Sequence, residues 1–297
     1  MTVTDVDLAL LRTTPIPSPG GATDKNSRGR VFLIAGSSTS PGAALLAGEA
    51  ALRAGAGKIM VGIPDAFAVA LGCVAPEFGL LPLGLTGKGE PEFTDFEKVE
   101  RCLENCDAVL VGPGLMDDKN AHRLARSILG ATNQPVVLDA AAITAFCGDA
   151  ATIRAGKCPC ILTPHAGEIA ALTGASRKAI ESDPPGVASN AAKEFNSIIV
   201  LKGAETFIAN PDGRVWRHAG GVPGLATAGS GDVLAGLLAA LIARGTEPVA
   251  ACLWSVYIHA AAGATLAQRV GPLGFLAREL PGLFPAILRR CSEGSST

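Results

Sequence analysis

No excess of charge of either sign marks this chain. Its 297 residues carry 25 Lys and Arg against 27 Asp and Glu, a net −2 with an isoelectric point near 6.1. That balance gives no electrostatic case for nucleic acid or an anionic membrane as a partner. The opening MTVTDVDLALLRTTPIPSPGG has acids and prolines where a secretory signal needs a basic start and an apolar run, so no signal peptide is expected. The eight cysteines lack zinc-knuckle spacing: Cys158-Pro-Cys160 and the pair Cys102/Cys106 are too close or too far apart, and the four histidines do not gather near them. Small buried thiols in a reducing, cytoplasmic compartment are expected instead. There is no internal repeat or low-complexity segment. Val233–Ala243 is too short to span a bilayer. Ala250–Gln268 is long enough, but it is alanine-rich and carries Ser255, His259 and Gln268, as a helix buried in a large core would.

Apolar residues are plentiful, at 48% of the chain with a mean hydropathy of +0.35, enough for a sizeable core. Residues 1–28 read as an N-terminal arm ending in the polar run Thr23–Arg30, and 29–297 as one catalytic domain. Within it Val31–Ala35, Lys58–Ile63, Ala108–Gly112, Val136–Asp139, Cys160–Thr163 and Ile198–Lys202 are short runs apolar on both faces, alternating with helical stretches such as Ala43–Ala54. This pattern predicts an α/β fold with a mostly parallel sheet covered on both sides. Phe207–Trp216, with Asn-Pro-Asp-Gly at its centre, predicts an antiparallel hairpin at an edge. Gly36-Ser37-Ser38, Gly112-Pro113-Gly114, Asp139, Thr163-Pro164-His165 and Lys202-Gly203 all follow strands, and in open α/β sheets ligands sit at that end.

The most informative stretch is GLATAGSGDVLAG, Gly224–Gly236. Gly229, Ser230 and Gly231 precede an apolar helix, so free backbone N–H groups should collect there and bind an anion. Asp232 follows in the first turn. A helix-start acid is worth ~0.3–1 kcal/mol as a dipole partner, which explains Asp232 alone but not glycines at 224, 229 and 231, which let a ligand approach the backbone. An anion cradle beside a base is what phosphoryl transfer requires. The P-loop is absent, since no Lys-Ser/Thr follows these glycines.

Taken together, the motifs resemble the ADP/ATP-dependent NAD(P)H-hydrate dehydratases, a branch of the ribokinase-like superfamily. They run in order through Gly36-Ser37 with Gly42-Ala43, Ala50–Gly57, Val111-Gly-Pro-Gly-Leu115, Thr163-Pro-His-Ala-Gly-Glu168, Val200-Leu-Lys-Gly-Ala204 and Gly224–Gly236. The resemblance implies a ribokinase-like single domain that repairs hydrated NADH or NADPH (NADHX, NADPHX). The ring hydroxyl is phosphorylated at the expense of ATP or ADP with Mg²⁺, and phosphate then leaves. It implies Asp232 as the base and the N–H groups of Gly229, Ser230 and Gly231 as donors to the transferring phosphoryl group. Lys202, Gly203, Ala204, Glu205 and Thr206, with Gly231, would bind the nucleotide. Ala43, Gly114 and His165, with Asp232, would border the hydrate, and Glu168 would organise Mg²⁺. A homo-oligomer is implied as well. Each residue also has a plain reading: Lys202 as a solvated strand end, His165 as a capped turn residue, Glu168 as a helix-start acid.

Several positions depart from the family pattern. Ser40 stands where a tyrosine is usual. Asp139-Ala140-Ala141-Ala142-Ile143-Thr144 replaces Asp-Ala-Asp-Ala-Leu-Asn. Ala166 replaces a proline, and Val222 an asparagine. These positions are expected on the acceptor side, where lost polar partners weaken discrimination. Two other functions therefore stand beside the dehydratase: a kinase of another small alcohol, and an idle nucleotide-binding paralogue.

Overall fold

The computed structural model describes residues 2–17 and 24–293. Met1 and residues 18–23 of the expected arm, and residues 294–297, lie outside the described residues. Among the described residues, eleven strands form one sheet. In chain order they are β1 (Val3–Asp5), β2 (Arg30–Ile34), β3 (Lys58–Pro64), β4 (Gly79–Leu85), β5 (Pro91–Glu92), β6 (Ala108–Val111), β7 (Val136–Leu138), β8 (Cys160–Leu162), β9 (Ile198–Leu201), β10 (Thr206–Ala209) and β11 (Val215–His218). Across the sheet the order is β1-β11-β10-β9-β8-β7-β6-β2-β3-β4-β5. From β9 to β4 every neighbouring pair is parallel.

Alternation along each strand explains the layering. Val31 and Leu33 of β2, Leu110 of β6 and Val200 of β9 face one core. Phe32, Ile34, Val111 and Leu201 face the other. A strand that contributes to two cores must be apolar at every position, which is why these runs were visible in the sequence. The predicted hairpin is β10–β11, antiparallel from Thr206↔His218 to Ala209↔Val215. It is not the outermost element. Val3–Asp5 pairs in parallel with β11, Leu11 is fully buried, and the Trp254 indole N–H donates to the Thr14 carbonyl at 2.8 Å. The described part of the N-terminal arm is thus built into the sheet edge. β4 escaped sequence reading because GLLPLGL is broken by glycine and proline. It tolerates Pro82 near the opposite edge, where fewer ladder bonds are needed.

The helix Ser230–Ala243 lies against the first core beside Gly42–Arg53 and Pro248–Arg269. Every residue of it is buried except Gly231 and Asp232. The rest is wrapped in protein, and its mouth alone is accessible. Pro248–Arg269 is long and apolar enough to cross a membrane, but most of it is buried inside the protein. The close crossing of Ser230–Ala243 with Gly42–Arg53 depends on missing side chains: a Cβ on Gly236 would collide with the Ala47 backbone. Replacing Gly236 with valine is therefore expected to cost about 2 kcal/mol or more, read as a drop of at least a few degrees in the thermal midpoint. An unchanged midpoint would show that the two helices can part freely.

Candidate functional site

The ends of β7, β8 and β9 deliver three polar groups to one point. After β7, Asp139 is buried, and its Oδ1 accepts from the Thr163 hydroxyl at 2.6 Å and from Lys202 Nζ at 2.8 Å. The next residue, Ala140, has φ 51 and ψ −132, a region that side chains other than glycine avoid at a cost of about 1–3 kcal/mol. The chain turns sharply there, and the strain sits beside the carboxylate that holds Lys202. After β9, Lys202 is anchored through its own N–H to the Pro164 carbonyl at 2.8 Å. Its ammonium also lies 3.9 Å from Glu168 Oε2. Burial opposes the charge on Lys202, but Asp139 and Glu168 outweigh it and raise its pKa, so the lysine is firmly cationic.

His165 caps the helix Ala166–Thr173. Its Nδ1 accepts from the N–H groups of Gly167 at 2.9 Å and Glu168 at 3.1 Å, while Glu168 Oε2 accepts from the His165 N–H at 2.7 Å. This reciprocal cap is the turn role that the sequence left open, and it fixes the ring beside the site at the same time. Burial pushes the Glu168 pKa up and Lys202 pulls it down, with a net rise.

Opposite Lys202 stands the mouth of the Ser230–Ala243 helix. Gly229 has φ 86, and a Cβ there would stand 2.5 Å from Leu46 Cδ1. Only glycine serves this turn. A Cβ on Gly231 would stand 3.3 Å from Lys202 Nζ, so ammonium and glycine turn adjoin. One expectation is corrected here. The Ser230 N–H is spent on the Thr227 carbonyl at 3.2 Å, because the chain forms a tight turn before the helix. Among the described residues, the amides of Gly229, Gly231 and Asp232 have no backbone acceptor. Ser230 instead turns its hydroxyl to His259 Nε2 at 3.1 Å, and the same nitrogen lies 3.1 Å from the Ser230 carbonyl. Burial lowers His259 to about 4, leaving it neutral.

No described residue donates a hydrogen bond to the Asp232 carboxylate. Burial, followed by repulsion from Asp139, pushes its pKa up to about 7, although Lys202 pulls downward. A base poised near neutrality and without a fixed partner is suited to taking a proton from a bound hydroxyl.

Beside this cluster lies a cavity of about 610 Å³, lined by His165, Lys202, Gly203, Ala204, Thr206, Gly221, Val222, Thr227, Ser230, Gly231 and His259 among others. Most residues expected at the nucleotide border it. Glu205 does not; it turns to Arg217 at 3.5 Å, and Arg217 also holds Asp5 at 2.8 Å. Val222 lines this cavity too, beside Gly221, which packs close over Ala204. Ala43 and Gly114 adjoin elsewhere: a Cβ on Gly114 would stand 2.8 Å from Ala43 Cβ and 2.6 Å from the Ser40 carbonyl. Ala43 lies in the first turn of the helix that comes close to Gly229 through Leu46, about one helical turn away. A second cavity of about 580 Å³ opens at the opposite ends of β2 and β3, beside Lys58 and Arg101, away from every expected site residue.

Sequence reasoning missed two members of the cluster as site residues. Asp139 was read as a strand end and His259 as a mark of a buried helix. A histidine inside the uncharged, alanine-rich stretch Ala250–Gln268 is the available signal for His259.

The family model described as NAD(P)H-hydrate dehydratase matches residues 31–285. The chain belongs to that family. It is 44% identical over 294 residues to the ADP-dependent (S)-NAD(P)H-hydrate dehydratase of Xanthomonas campestris, covering 98% of each chain. It is 35% identical to the bifunctional NAD(P)H-hydrate repair enzyme Nnr of Moorella thermoacetica, of which it spans 53%. The crystal structure of the ADP/ATP-dependent NAD(P)H-hydrate dehydratase of Bacillus subtilis, co-crystallised with ATP/Mg²⁺, superposes with a TM-score of 0.85 at 30% identity, covering 98% of this chain and 99% of that one. Family membership places this fold among ribokinase-like dehydratases with a mostly parallel central sheet.

Asp232 binds its proton more readily in the folded chain than in the unfolded one. Its contribution to stability is therefore full below the ordinary carboxylate pKa and is lost as pH rises through about 7. Asp232→Asn should stabilise the fold increasingly from about pH 4 to about pH 7, by ~1.4 kcal/mol per unit of the shift at most. Urea melts at about pH 5 and about pH 8 measure this; an equal gain at both would contradict the raised pKa.

Proposed function

We propose that this chain is a nucleotide-dependent dehydratase that repairs hydrated NADH and NADPH. The observation that carries the reading is the juxtaposition of an unpartnered Asp232, free amides at Gly229, Gly231 and Asp232, and the Lys202 ammonium at the edge of a cavity of about 610 Å³. The activities named for the Xanthomonas and Bacillus relatives support it.

ATP or ADP enters the cavity, its phosphates meeting the free amides and Lys202 while Gly203, Ala204 and Thr206 line its path. The helix start favours negative charge by geometry and dipole. Asp232 accepts the proton of the ring hydroxyl as that oxygen attacks the terminal phosphorus, and the leaving nucleoside phosphate takes the bond electrons. The hydrate's ring nitrogen then expels inorganic phosphate, and loss of a proton from the adjacent ring carbon to water restores the double bond. Each well-placed donor to the transferring group is worth about 3 kcal/mol.

Mg²⁺ fits this donor set as a phosphate-bound ion. Among the described residues there is no cluster of three His, Cys, Asp or Glu able to cage a metal. Magnesium commonly uses one or two carboxylates plus phosphate oxygens, and Glu168 is the carboxylate we assign to it. When bound, the ion supplies charge neutralisation for the phosphates. Ala43, Gly114 and His165 border the hydrate. A homo-oligomer in the cytoplasm belongs to the same reading: the cysteines are unpaired, as a reducing compartment keeps them, and Val69 and Val74 leave apolar surface on one helix for a contact to cover.

Two measurements test this. Recovery of NADH absorbance from the hydrate, with phosphate release, should fall by about 10²–10⁴-fold in Asp232→Asn while nucleotide affinity stays near that of the parent. Parent-like turnover in that variant would remove Asp232 as the base. In the parent, kcat/KM for the hydrate should drop about tenfold per pH unit below about 7 and level off above it. A flat profile would contradict a base of that pKa, and accumulation of a stable phosphorylated product would point to a kinase of another alcohol.

A further inference from the structure

Glu90 is an acid with only 2% of its surface exposed. It closes the turn between β4 and β5, where the Thr86 N–H donates to the Glu90 carbonyl at 2.8 Å. Its Oε1 accepts from the Met116 N–H at 3.0 Å. The second oxygen, Oε2, is buried with no partner. A carboxyl left half-satisfied inside a protein is costly, and nothing in the packing of this turn requires an acid. What the acid does is grip the Met116 amide just before the helix Asp118–Ala131.

That amide belongs to the loop Gly112–Asp117, whose Gly114 packs on Ser40 and Ala43. The loop is tied down from several sides. The Ser37 hydroxyl donates to the Gly114 carbonyl at 2.7 Å, Lys88 Nζ holds Asp117 at 3.0 Å, and the Thr144 hydroxyl donates to Asp118 at 2.7 Å. The Ser38 N–H bonds the Gly89 carbonyl at 2.7 Å, which joins the Glu90 turn to the opposite wall. The Lys88 tie is exposed and its ion pair weak; the Glu90 tie is buried and directional. One carboxyl therefore sits where the two walls and the turn behind them meet.

We infer that Glu90 is a positioning residue for the acceptor: its buried carboxyl sets the loop Gly112–Asp117 and hence the placing of Gly114 against Ala43, where the hydrate binds. This rests on the dehydratase reading. Glu90 touches neither the nucleotide cavity nor Asp232, so its removal should act on one substrate alone.

The test is steady-state kinetics of the full chain with NADH hydrate and ATP or ADP. Glu90→Ala is expected to raise KM for the hydrate about tenfold or more, with kcat and nucleotide KM within about twofold of the parent. Glu90→Gln, which keeps the acceptor oxygen, should restore hydrate KM to near the parental value. If Glu90→Ala does not fold, Glu90→Met, which fills the space without an acceptor, carries the same expectation. A parental hydrate KM in the Ala or Met variant overturns the inference. So does a parallel rise in both KM values, or a Gln variant as impaired as the Ala variant. The parent's own turnover separates the two levels: no phosphate release by the parent defeats the dehydratase reading, whereas an active parent with an indifferent Glu90 defeats only this inference.

Discussion

The Lys202 ammonium is the charge on which the site depends. It is held at 2.8 Å by Asp139 and lies 3.9 Å from Glu168, and it lowers the pKa of Asp232 against burial and against the other two acids. Burial and the neighbouring acids push Glu168 and Asp232 upward, and the lysine draws both back. With the lysine in place, Asp139 is its fixed anchor, and Asp232 is poised close to neutrality. An anion arriving beside Gly231 would meet a lysine already positioned there.

Such a cluster needs a rigid frame. Parallel strands bring Asp139, Thr163 and Lys202 to one edge because β7, β8 and β9 are adjacent and in register. The helix carrying Asp232 is seated by close contact with Gly42–Arg53, where Gly236 leaves room for Ala47. Small residues do the positioning on one side and strand pairing does it on the other. The two cores on either face of the sheet keep both from shifting.

Much of this was legible in the sequence, and the limits have physical causes. Strands buried on both faces announce themselves as unbroken apolar runs, so β2, β3, β6, β7, β8 and β9 could be read directly. β4 and β1 could not: one is interrupted by Gly and Pro, the other is three residues of mixed character at an edge. The glycine turn and Asp232 were readable because their chemistry is local. The roles of Asp139 and His259 were not, since each depends on a partner 63 or 29 residues away. The departures from the family pattern also resolve differently from one another. Thr144 is used to tie Asp118, whereas Val222 faces the cavity beside Lys202; spacing along the chain could not tell these apart. The turn of the Ser230 amide toward Thr227 depends on backbone geometry that residue identity leaves open.

The open donors at the helix mouth are main-chain amides, set by Gly229 at φ 86 and by Gly231 close to Lys202. A donor of this kind has no side chain to exchange. Mutation can harm it only by adding bulk or by forbidding the left-handed turn, and it cannot be tuned by swapping one functional group for another.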